Sequence, residues 1–334
     1  MNVGIVGATG LVGTLVREIF SERDFPIESL RLFASSRSAG LTRDWNGVSI
    51  TIEDASNADF SGLGIVVMSA GGDASRQLAP IIAKAGAKVI DNSSAWRMDD
   101  DVPLVVSEVN PHALNRMPKG IVANPNCTTM VAMPVLAPLH REFGLEKMIV
   151  STYQSVSGSG GKGVNELGEQ IQKVGDRLHD LTHSGGSVPQ GNIYARPIAF
   201  NVIPLAGNLV DSETDEEIKF RNESRKILEA PEISVSCTCV RVPVVTGHSL
   251  SITASFARPI KAAEAQEILS HTEGVELSEV PTPLDVTGGN VSLVGRLREH
   301  PDDPQTLSMF ICGDNLRKGA ALNAVQLAEL LANA

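Results

Sequence analysis

The chain opens with the feature that most restricts its fold, a short apolar strand that runs directly into a glycine-rich turn. Val3 to Val6 predicts a strand, Gly7 to Gly13 spells GATGLVG, and a helical run continues to about Phe20. Glycines let the backbone approach a ligand closely, and the N-terminus of the helix points N–H groups at an anion. The spacing is GxxGxxG and not the commoner GxGxxG, but its place after an N-terminal strand favours a dinucleotide pyrophosphate site.

Strands and helices then alternate through the first half of the chain. We expect a helix from Asp73 to Ala85, with Asp73 as its cap. This alternation predicts a parallel sheet whose ligands lie at the C-terminal ends of the strands. Four further strands are predicted, at Leu30 to Ala34, Ile65 to Ser69, Lys88 to Asp91 and Ile121 to Ala123.

The polar turn after the second strand indicates which dinucleotide is bound. A cofactor that lacks a 2′-phosphate is usually held there by Asp or Glu, but this chain has Ser35, Ser36, Arg37 and Ser38. A guanidinium with neighbouring hydroxyl groups suits a phosphate, so the turn favours NADP over NAD. Taken alone, Arg37 is equally an ordinary solvated arginine in a polar loop.

The motif NPNCTT, from Asn124 to Thr129, places Cys127 at the start of a predicted helix that ends near Phe143, before Gly144. Backbone N–H groups at a helix N-terminus favour the thiolate, which is the nucleophilic form of cysteine. The alternative is a buried structural cysteine, the usual state of a free Cys. Two prolines, Pro134 and Pro138, predict a kink or an interruption in this helix.

The second half has the pattern of a mixed or antiparallel sheet, which indicates an α+β domain. A glycine-rich loop follows the first of its strands, and the polar segment 182–190 has no clear element. Near Thr214 the sequence predicts a helix that begins with a capping box closed by Glu217. Strands are predicted at Lys147 to Val156, Ile198 to Pro204, Ile233 to Val245, Ser249 to Ala257 and Thr306 to Cys312.

Three sets of charged residues in this half are candidates for substrate chemistry. Arg241 stands within an apolar strand, where an arginine is costly unless a carboxylate or phosphate meets it. His248 follows a turn and is either a surface histidine or the acid/base partner that a cysteine nucleophile requires. Glu216 and Lys219 share one helix face at i, i+3, and a surface ion pair is the simpler interpretation of that spacing.

Composition and charge exclude several classes of protein. A length of 334 residues predicts two domains. The formal net charge of −11 opposes binding to nucleic acid or to anionic lipid. No apolar run is long enough to span a membrane, and the first residues do not form a signal peptide, so we expect a cytoplasmic protein. Cys237 and Cys239 are expected to pack in the core, and no metal site is predicted.

Eight motifs stand in a fixed order along the chain: GATGLVG, ASSRSAG, DNSSAWRMDDDVPLVVSEVN, NPNCTT, YQSVSGSG, TDEEIK, RVPVVTGHS and GDNLRKGAALNAVQ. Through these motifs, and in the same order, the chain closely resembles aspartate-β-semialdehyde dehydrogenase of the bacterial type along essentially its whole length. This resemblance implies reversible NADP-dependent reduction of L-aspartyl-4-phosphate to L-aspartate-4-semialdehyde, through a cysteine thioester, on the way to lysine, threonine, methionine and diaminopimelate.

Roles for individual residues follow from the same resemblance. Cys127 matches the nucleophile, His248 the acid/base, and Gln154 the residue that positions the acyl group. Arg241 matches the clamp for the substrate carboxylate and Glu216 the partner of its ammonium. Arg97 and Lys219 match the phosphate site, and Asn126 lies beside the nucleophile. The positions that match cofactor contacts are Gly7, Thr9, Gly10, Leu11, Val12, Gly13, Ser35, Arg37, Ser38, Ser157, Gly158 and Asn315.

The resemblance also implies an α/β architecture with an N-terminal Rossmann-like nucleotide-binding domain and a second α+β domain for catalysis and dimerisation. We expect the first domain at 1–127 plus 313–334, where the last helix packs back on it, and the second at 128–312. The expected assembly is a homodimer or a homotetramer. The alternatives are N-acetylglutamyl-phosphate reductase, a thiol hydrolase that would not need GATGLVG, and a non-catalytic relative.

Overall fold

The computed structural model describes residues 1–183 and 186–333. The chain forms two compact units, and each is described by itself. The first unit comprises 1–137, 222–231 and 316–334, and the second comprises 138–221 and 232–315. Within the described residues, no helix combines the length and the apolar character that a membrane crossing requires.

The described chain contains fifteen strands and eight α-helices. The strands are β1 (Asn2–Val6), β2 (Ser29–Ala34), β3 (Thr42–Trp45), β4 (Val48–Asp54), β5 (Ile65–Met68), β6 (Lys88–Asp91), β7 (Ile121–Ala123), β8 (Leu145–Gln154), β9 (Leu209–Val210), β10 (Glu213–Thr214), β11 (Ser234–Arg241), β12 (His248–Phe256), β13 (Val275–Leu277), β14 (Ser292–His300) and β15 (Asp303–Gly313). The α-helices are α1 (Leu11–Glu22), α2 (Gly72–Lys84), α3 (Cys127–Phe143), α4 (Gly160–Val174), α5 (Asp215–Ile227), α6 (Ala262–Ser270), α7 (Pro283–Val286) and α8 (Leu322–Ala332).

The first unit is built on a seven-stranded sheet in the order β3-β4-β2-β1-β5-β6-β7. Every neighbouring pair is parallel except β3 with β4. The chain leaves β1 toward β2 and later returns to the other side of β1 at β5, so the strand order reverses beside β1. Doubly wound sheets bind ligands at that point, beyond the C-terminal ends of the strands. The predicted Rossmann-like domain is confirmed.

The core of the first unit explains why the last helix belongs to it. Apolar residues of β1 such as Ile5, of α1 such as Ile19, and of α8 such as Val325 form one buried cluster. A bidentate ion pair from Arg23 to Glu329, with both N–O distances 2.7 Å, joins the ends of α1 and α8. The predicted return of the C-terminal helix to this domain is therefore correct, although a π-helical turn, Arg317–Ala321, precedes α8.

The second unit contains a six-stranded mixed sheet in the order β11-β8-β12-β15-β14-β13. Its central pairs are antiparallel, while β11 lies parallel to β8 and β13 parallel to β14. A two-stranded hairpin, β9 with β10, immediately precedes α5. The α+β class predicted for this half is confirmed.

Several predicted elements differ from the structure. The segment Ile198 to Pro204 is not a strand, because Phe200 adopts a positive φ of 58° and breaks the extended conformation. Its apolar side chains instead pack in a small core with Val156 and Leu167. The glycine-rich loop predicted at 158–163 is replaced by the start of α4 at Gly160. The strand predicted to reach Val245 ends at Arg241, shortly before Pro243.

Two helix details also need correction. Asp73 is not the cap of α2, because Gly71 occupies that position and Asp73 pairs with Arg76 inside the first turn. The helix α3 runs from Cys127 to Phe143 without the interruption predicted at its prolines. Nearly every side chain from Met130 to Leu139 is buried, and this apolar burial offsets the backbone hydrogen bonds that proline cannot donate.

Candidate active site

The turn between β1 and α1 is held in a tight conformation by its glycines. Gly7 has a φ of 84°, and a Cβ placed there would lie 2.3 Å from the carbonyl oxygen of Ser69. A Cβ on Gly13 would lie 2.3 Å from the carbonyl oxygen of Gly7. Neither position tolerates a side chain, so the helix begins directly against the strand and its first N–H groups face outward.

A cavity of about 530 Å³ lies where β1, β2, β4 and β5 end. Most of its lining comes from the turns that follow those strands. Because the N-terminus of α1 opens into the same turn, an anion there would meet uncompensated N–H groups. The predicted cofactor residues that line this cavity are Gly7, Thr9, Gly10, Ser35 and Arg37. Leu11, Val12 and Gly13 form the first turn of α1, and Ser38 belongs to the turn after β2; none of the four lines the cavity.

The helix that carries Cys127 is capped by the residue before it. The side-chain oxygen of Asn126 accepts the N–H of Thr128 at 2.9 Å, and its carbonyl oxygen accepts the N–H of Met130 at 2.8 Å. Cys127 is therefore the first helical residue and is partly exposed. The predicted placement of the thiol at a helix N-terminus is correct, and Asn126 has a structural task there that its sequence position alone did not specify.

Gly319, which the sequence patterns did not single out, lies against Cys127. A Cβ on Gly319 would lie 3.0 Å from the Cβ of Cys127, so a side chain at this position would press on the Cys127 side chain. The residue belongs to the π-helical turn, and π-turns of this kind occur frequently at functional sites. Its neighbour Lys318 is wholly buried and donates to the carboxylate of Glu108 at 2.6 Å.

Arg97 is buried in the first unit and three of its nitrogens have partners. Nε donates to the carbonyl oxygen of Asn124 at 2.9 Å, and Nη2 donates to that of Asn92 at 2.9 Å. Nη1 forms an ion pair with Glu223 at 3.0 Å. Glu223 also accepts the N–H of Asn126 at 2.6 Å. The structure thus joins Arg97 to the turn before Cys127, and it adds Glu223, which sequence reasoning did not identify.

In the second unit, Gln154, Glu216 and Lys219 are brought together. Lys219 Nζ lies 2.8 Å from Asp215 Oδ2 and 2.9 Å from Glu216 Oε1. The Gln154 amide donates to the other oxygen of Glu216 at 3.2 Å. Desolvation by itself would lower the pKa of Lys219, but the two carboxylates outweigh it, so the pKa is raised. The ion pair expected from the i, i+3 spacing does form, and it lies beside Gln154 rather than alone.

Arg241 and His248 lie on either side of a shared loop. Arg241, the last residue of β11, donates to the carbonyl oxygen of Ser155 at 2.6 Å. His248, the first residue of β12, accepts the N–H of Ser155 at Nδ1, at 3.1 Å. A Cβ on Gly158 would lie 3.0 Å from Arg241 Nη1 and 3.3 Å from His248 Nε2. A side chain at this position would therefore press on both Arg241 and His248.

These contacts determine the protonation of His248. A backbone N–H can only donate, so Nδ1 is an acceptor and the ring proton of the neutral imidazole is on Nε2. Complete burial, assisted by the nearby charge of Arg241, holds the pKa of His248 well below its ordinary value of 6.5. His248 is thus a neutral donor at neutral pH, and it is not the surface histidine that the sequence allowed.

Ser157 and Asn315 are buried in one hydrogen-bonded cluster. The Asn315 side-chain oxygen accepts from Ser155 at 2.9 Å, from Ser157 at 3.1 Å and from the N–H of Gly247 at 2.9 Å. This cluster fixes the loop that meets His248. The assignment of Ser157 and Asn315 to the cofactor stays a prediction.

Cys237 and Cys239 lie close together on β11. Cys237 and Cys239 are free, with their sulfur atoms 3.7 Å apart. In the described part of the chain, no group of three or more His, Cys, Asp and Glu side chains is arranged to hold a metal ion. The segment 182–190 includes Ser184 and Gly185, which lie outside the described residues.

Two family profiles match consecutive parts of the chain. The profile described as "Semialdehyde dehydrogenase, NAD binding domain" matches residues 2–117. The profile described as "Semialdehyde dehydrogenase, dimerisation domain" matches residues 136–318.

Individual relatives agree with these profiles. The chain is 61% identical to the aspartate-semialdehyde dehydrogenase of Streptomyces akiyoshiensis, with 99% of this chain and 98% of the relative covered. It is 54% identical to that of Corynebacterium glutamicum, with 99% of each covered. The crystal structure of aspartate semialdehyde dehydrogenase II from Vibrio cholerae superimposes with a TM-score of 0.94 at 42% identity, covering 99% of this chain and 98% of that one.

The chain belongs to the aspartate-semialdehyde dehydrogenase family. As a member of the family it is an oxidoreductase of amino-acid biosynthesis, and its cofactor is a nicotinamide dinucleotide. The match to the dimerisation domain indicates a homo-oligomer. The predicted family, fold class and enzyme class are therefore confirmed. For an aspartate-semialdehyde dehydrogenase, the residues of greatest interest beyond those predicted are Glu223 and Gly319, which contact the turn and the helix start around Cys127.

Proposed function

We propose that the chain reduces L-aspartyl-4-phosphate to L-aspartate-4-semialdehyde with NADPH and releases phosphate, reversibly, in the biosynthesis of lysine, threonine, methionine and diaminopimelate. The observation that carries this proposal is the 61% identity to a named aspartate-semialdehyde dehydrogenase over 99% of the chain. The capped helix start at Cys127 supports a thiol mechanism independently of that identity.

In the proposed mechanism Cys127 is the nucleophile. Its thiolate attacks the acyl carbon, a carbon–sulfur bond forms, and the bond from carbon to the phosphate oxygen breaks. Phosphate leaves, and the product is a thioester on Cys127. When bound, NADPH supplies the hydride that reduces this thioester carbonyl. The carbon–sulfur bond then breaks, which releases the aldehyde and regenerates the thiolate. Backbone N–H groups at the start of α3 would stabilise the oxyanion, an effect worth about 3 kcal/mol per donor.

The protonation of His248 makes it a hydrogen-bond donor in the proposed mechanism. Since its Nδ1 accepts a backbone N–H, its mobile proton is on Nε2, which faces the side-chain-free position at Gly158. We assign to Nε2–H a hydrogen bond to the oxyanion of the tetrahedral intermediate, and the ring keeps its proton in both directions of the reaction. The lowered pKa of His248 suits this assignment, because a neutral ring does not compete for the substrate's anionic groups.

The substrate's charged groups are assigned to side chains of opposite charge. Arg241 would hold the α-carboxylate, and its buried Nε has no acceptor among the described residues. Glu216 would meet the ammonium, and Gln154, which donates to Glu216, would orient the acyl group. Arg97 and Lys219 would bind the phosphoryl group, and Asn126 would shape the position beside the nucleophile.

The choice of NADP over NAD is assigned to Arg37, an exposed cation that lines the cavity beyond β2. Replacement Arg37→Ala should raise the KM for NADP about tenfold or more and leave that for NAD within about twofold, because only NADP carries the 2′-phosphate. Steady-state kinetics with both cofactors measures this difference. Equal losses for both would show that Arg37 does not contact the 2′-phosphate.

The decisive test is an assay in the reverse direction. Purified protein given aspartate semialdehyde, phosphate and NADP should form NADPH, and should form NADH from NAD far more slowly. The Cys127→Ala variant should lose turnover while it still binds NADP. A wild-type protein without activity would remove the proposal, and a Cys127→Ala variant with near-normal rates would remove the nucleophile assignment.

Three finer points belong to the same proposal. We assign the domain division 1–127 plus 313–334 and 128–312, a homodimer or a homotetramer, and a cytoplasmic location. Size-exclusion chromatography with light scattering would decide between the two assemblies.

N-acetylglutamyl-phosphate reductase chemistry is disfavoured, because an acetylated amine carries no charge for Glu216 to meet. An assay with N-acetylglutamate semialdehyde tests this point directly.

A further inference from the structure

Glu223, in α5, makes two contacts with the segments that carry Arg97 and Cys127. One carboxylate oxygen lies 3.0 Å from Arg97 Nη1, and the other accepts the N–H of Asn126 at 2.6 Å. Its residue exposure is only 1%, so the carboxylate is removed from water almost completely. A buried carboxylate is costly unless a charge and hydrogen bonds meet it, and here one guanidinium and one backbone N–H do so.

The contacts close a ring around the turn before the nucleophile. Glu223 binds Arg97, Arg97 Nε binds the carbonyl oxygen of Asn124, and the chain continues through Asn126 back to Glu223. The backbone at 124–126 is therefore fixed at both ends by one ion pair. Any movement of the Glu223 carboxylate shifts the guanidinium of Arg97 and the residue that caps the helix of Cys127 together.

One turn later in α5, Lys226 fastens the segment that begins at Arg97. Its Nζ donates to the carbonyl oxygens of Arg97 at 2.9 Å, Asp99 at 2.8 Å and Val102 at 2.9 Å. Glu223 and Lys226 are at i, i+3 and share one helix face. On this face, the Glu223 carboxylate binds the side chain of Arg97, and the Lys226 ammonium binds its backbone carbonyl oxygen.

We propose that Glu223 is a positioning residue for phosphate binding: it orients the Arg97 guanidinium and the turn before Cys127 as one unit. The inference rests on the proposed function, because it takes Arg97 to be a phosphate ligand. Glu223 itself does not contact the substrate. Its carboxylate uses one edge of the guanidinium and so sets the direction in which the remaining N–H groups of Arg97 can donate to a phosphoryl oxygen.

The variant Glu223→Gln tests this role. The amide keeps one acceptor but directs an N–H group at one of two donors, so Arg97 and Asn126 cannot both be satisfied. In the assay with aspartate semialdehyde, phosphate and NADP, we expect the KM for phosphate to rise about tenfold and that for NADP to stay within about twofold. Glu223→Asp, which keeps the charge but is shorter, should give an intermediate KM for phosphate.

Glu217→Gln is the matched control. Glu217 is also a buried carboxylate of α5, and it accepts the N–H groups of Thr214 at 2.7 Å and Cys239 at 2.9 Å. The same substitution there should lower the melting temperature and leave the KM for phosphate unchanged. The proposal is supported if only the Glu223 variants raise that KM. It is overturned if both glutamine variants raise it equally, or if Glu223→Gln lowers the melting temperature alone.

A second measurement separates this inference from the proposed function. The rate at which iodoacetamide alkylates Cys127, followed by mass spectrometry of its peptide, requires no turnover. Because Glu223 binds the residue before Cys127, Glu223→Gln should change this rate at least threefold at pH 7, and Glu217→Gln should not. If the wild type shows no dehydrogenase activity, the proposed function fails and the alkylation rates alone decide on Glu223, unchanged rates overturning the positioning role.

Discussion

Arg97 and Lys219 are both predicted phosphate ligands, and each is paired with a carboxylate, but the two pairs are in different surroundings. The side chains of Arg97 and Glu223 are 9% and 1% exposed. Those of Lys219, Glu216 and Asp215 are 26%, 15% and 32% exposed. The first pair is almost wholly buried, and the second is partly exposed. We therefore expect the Arg97–Glu223 ion pair to stabilise the fold, and the ion pairs of Lys219 to be exchanged more easily for contacts with a ligand.

The chemistry of the two cations follows the same division. The planar guanidinium of Arg97 donates in three directions at once, to Glu223 and to two backbone carbonyl oxygens, so its orientation is fixed. The ammonium of Lys219 is a point charge on a flexible stem, shared between two carboxylates of its own helix. Lys219 can change partners at low cost, whereas Arg97 can bind a ligand only with the N–H groups that point away from Glu223.

The largest expected effect comes from breaking the buried pair. Arg97→Met removes the guanidinium from the buried Glu223 carboxylate, and breaking a buried ion pair typically destabilises a protein by about 3–5 kcal/mol. Urea unfolding followed by circular dichroism measures the loss. The double variant Arg97→Met, Glu223→Leu should recover part of it, because it also removes the buried carboxylate. A single variant as stable as the wild type would show that the pair is not desolvated.

For the partly exposed ion pair of Lys219, we expect a small effect on stability and a large effect on phosphate binding. Lys219→Met should change stability by less than about 1 kcal/mol, since solvent screens partly exposed pairs. If Lys219 binds the phosphoryl group, the same variant should raise the KM for phosphate about tenfold. Arg221→Met, in the same helix and paired with Glu213, is the control and should leave that KM unchanged. A loss of stability as large as that of Arg97→Met would erase the distinction between the two pairs.

The surroundings of Arg97 and Cys127 could be predicted only in part from the sequence. The position of Cys127 at a helix start follows from a local signal, a turn followed by an apolar run, and the structure agrees. The glycine turn and its parallel strands are local in the same sense, and they were predicted correctly. Glu223 was not found, because its partner Arg97 is 126 residues away and nothing in the local pattern separates this glutamate from an ordinary one. Gly319 was missed for the same reason.

The second unit shows where local patterns mislead. The run from Ile198 is apolar because Ile198 and Ile203 pack against Val156 and Leu167, not because it forms a strand. The spacing of apolar residues in the sequence does not distinguish a buried irregular segment from a buried strand. By contrast, the capping box of α5 was predicted from Thr214 and Glu217, and both of its hydrogen bonds are present. The four-residue capping box was therefore a reliable signal, whereas the single Asp73 was not a reliable cap signal, and the apolar run that depends on distant packing was misassigned.

The smallest expected effect distinguishes two lysines of α5 by pH. Lys219 has a raised pKa, because Glu216 and Asp215 outweigh its desolvation. Its charge therefore stabilises the folded protein fully below about pH 10.4, and this stabilisation disappears as the pH rises through the folded-state pKa. Desolvation lowers the pKa of Lys226 despite Asp100 and Asp99, so the cost of burying its charge is present at lower pH and is relieved as the pH approaches 10.4. Between pH 8 and 11, the difference in melting temperature between wild type and Lys219→Met should shrink, while that between wild type and Lys226→Met should grow, each by about 2 °C. Differential scanning calorimetry of the three proteins measures both trends. If the melting temperatures of the two variants changed in parallel with pH, the carboxylates beside Lys219 would not distinguish it from Lys226, which binds backbone carbonyl oxygens.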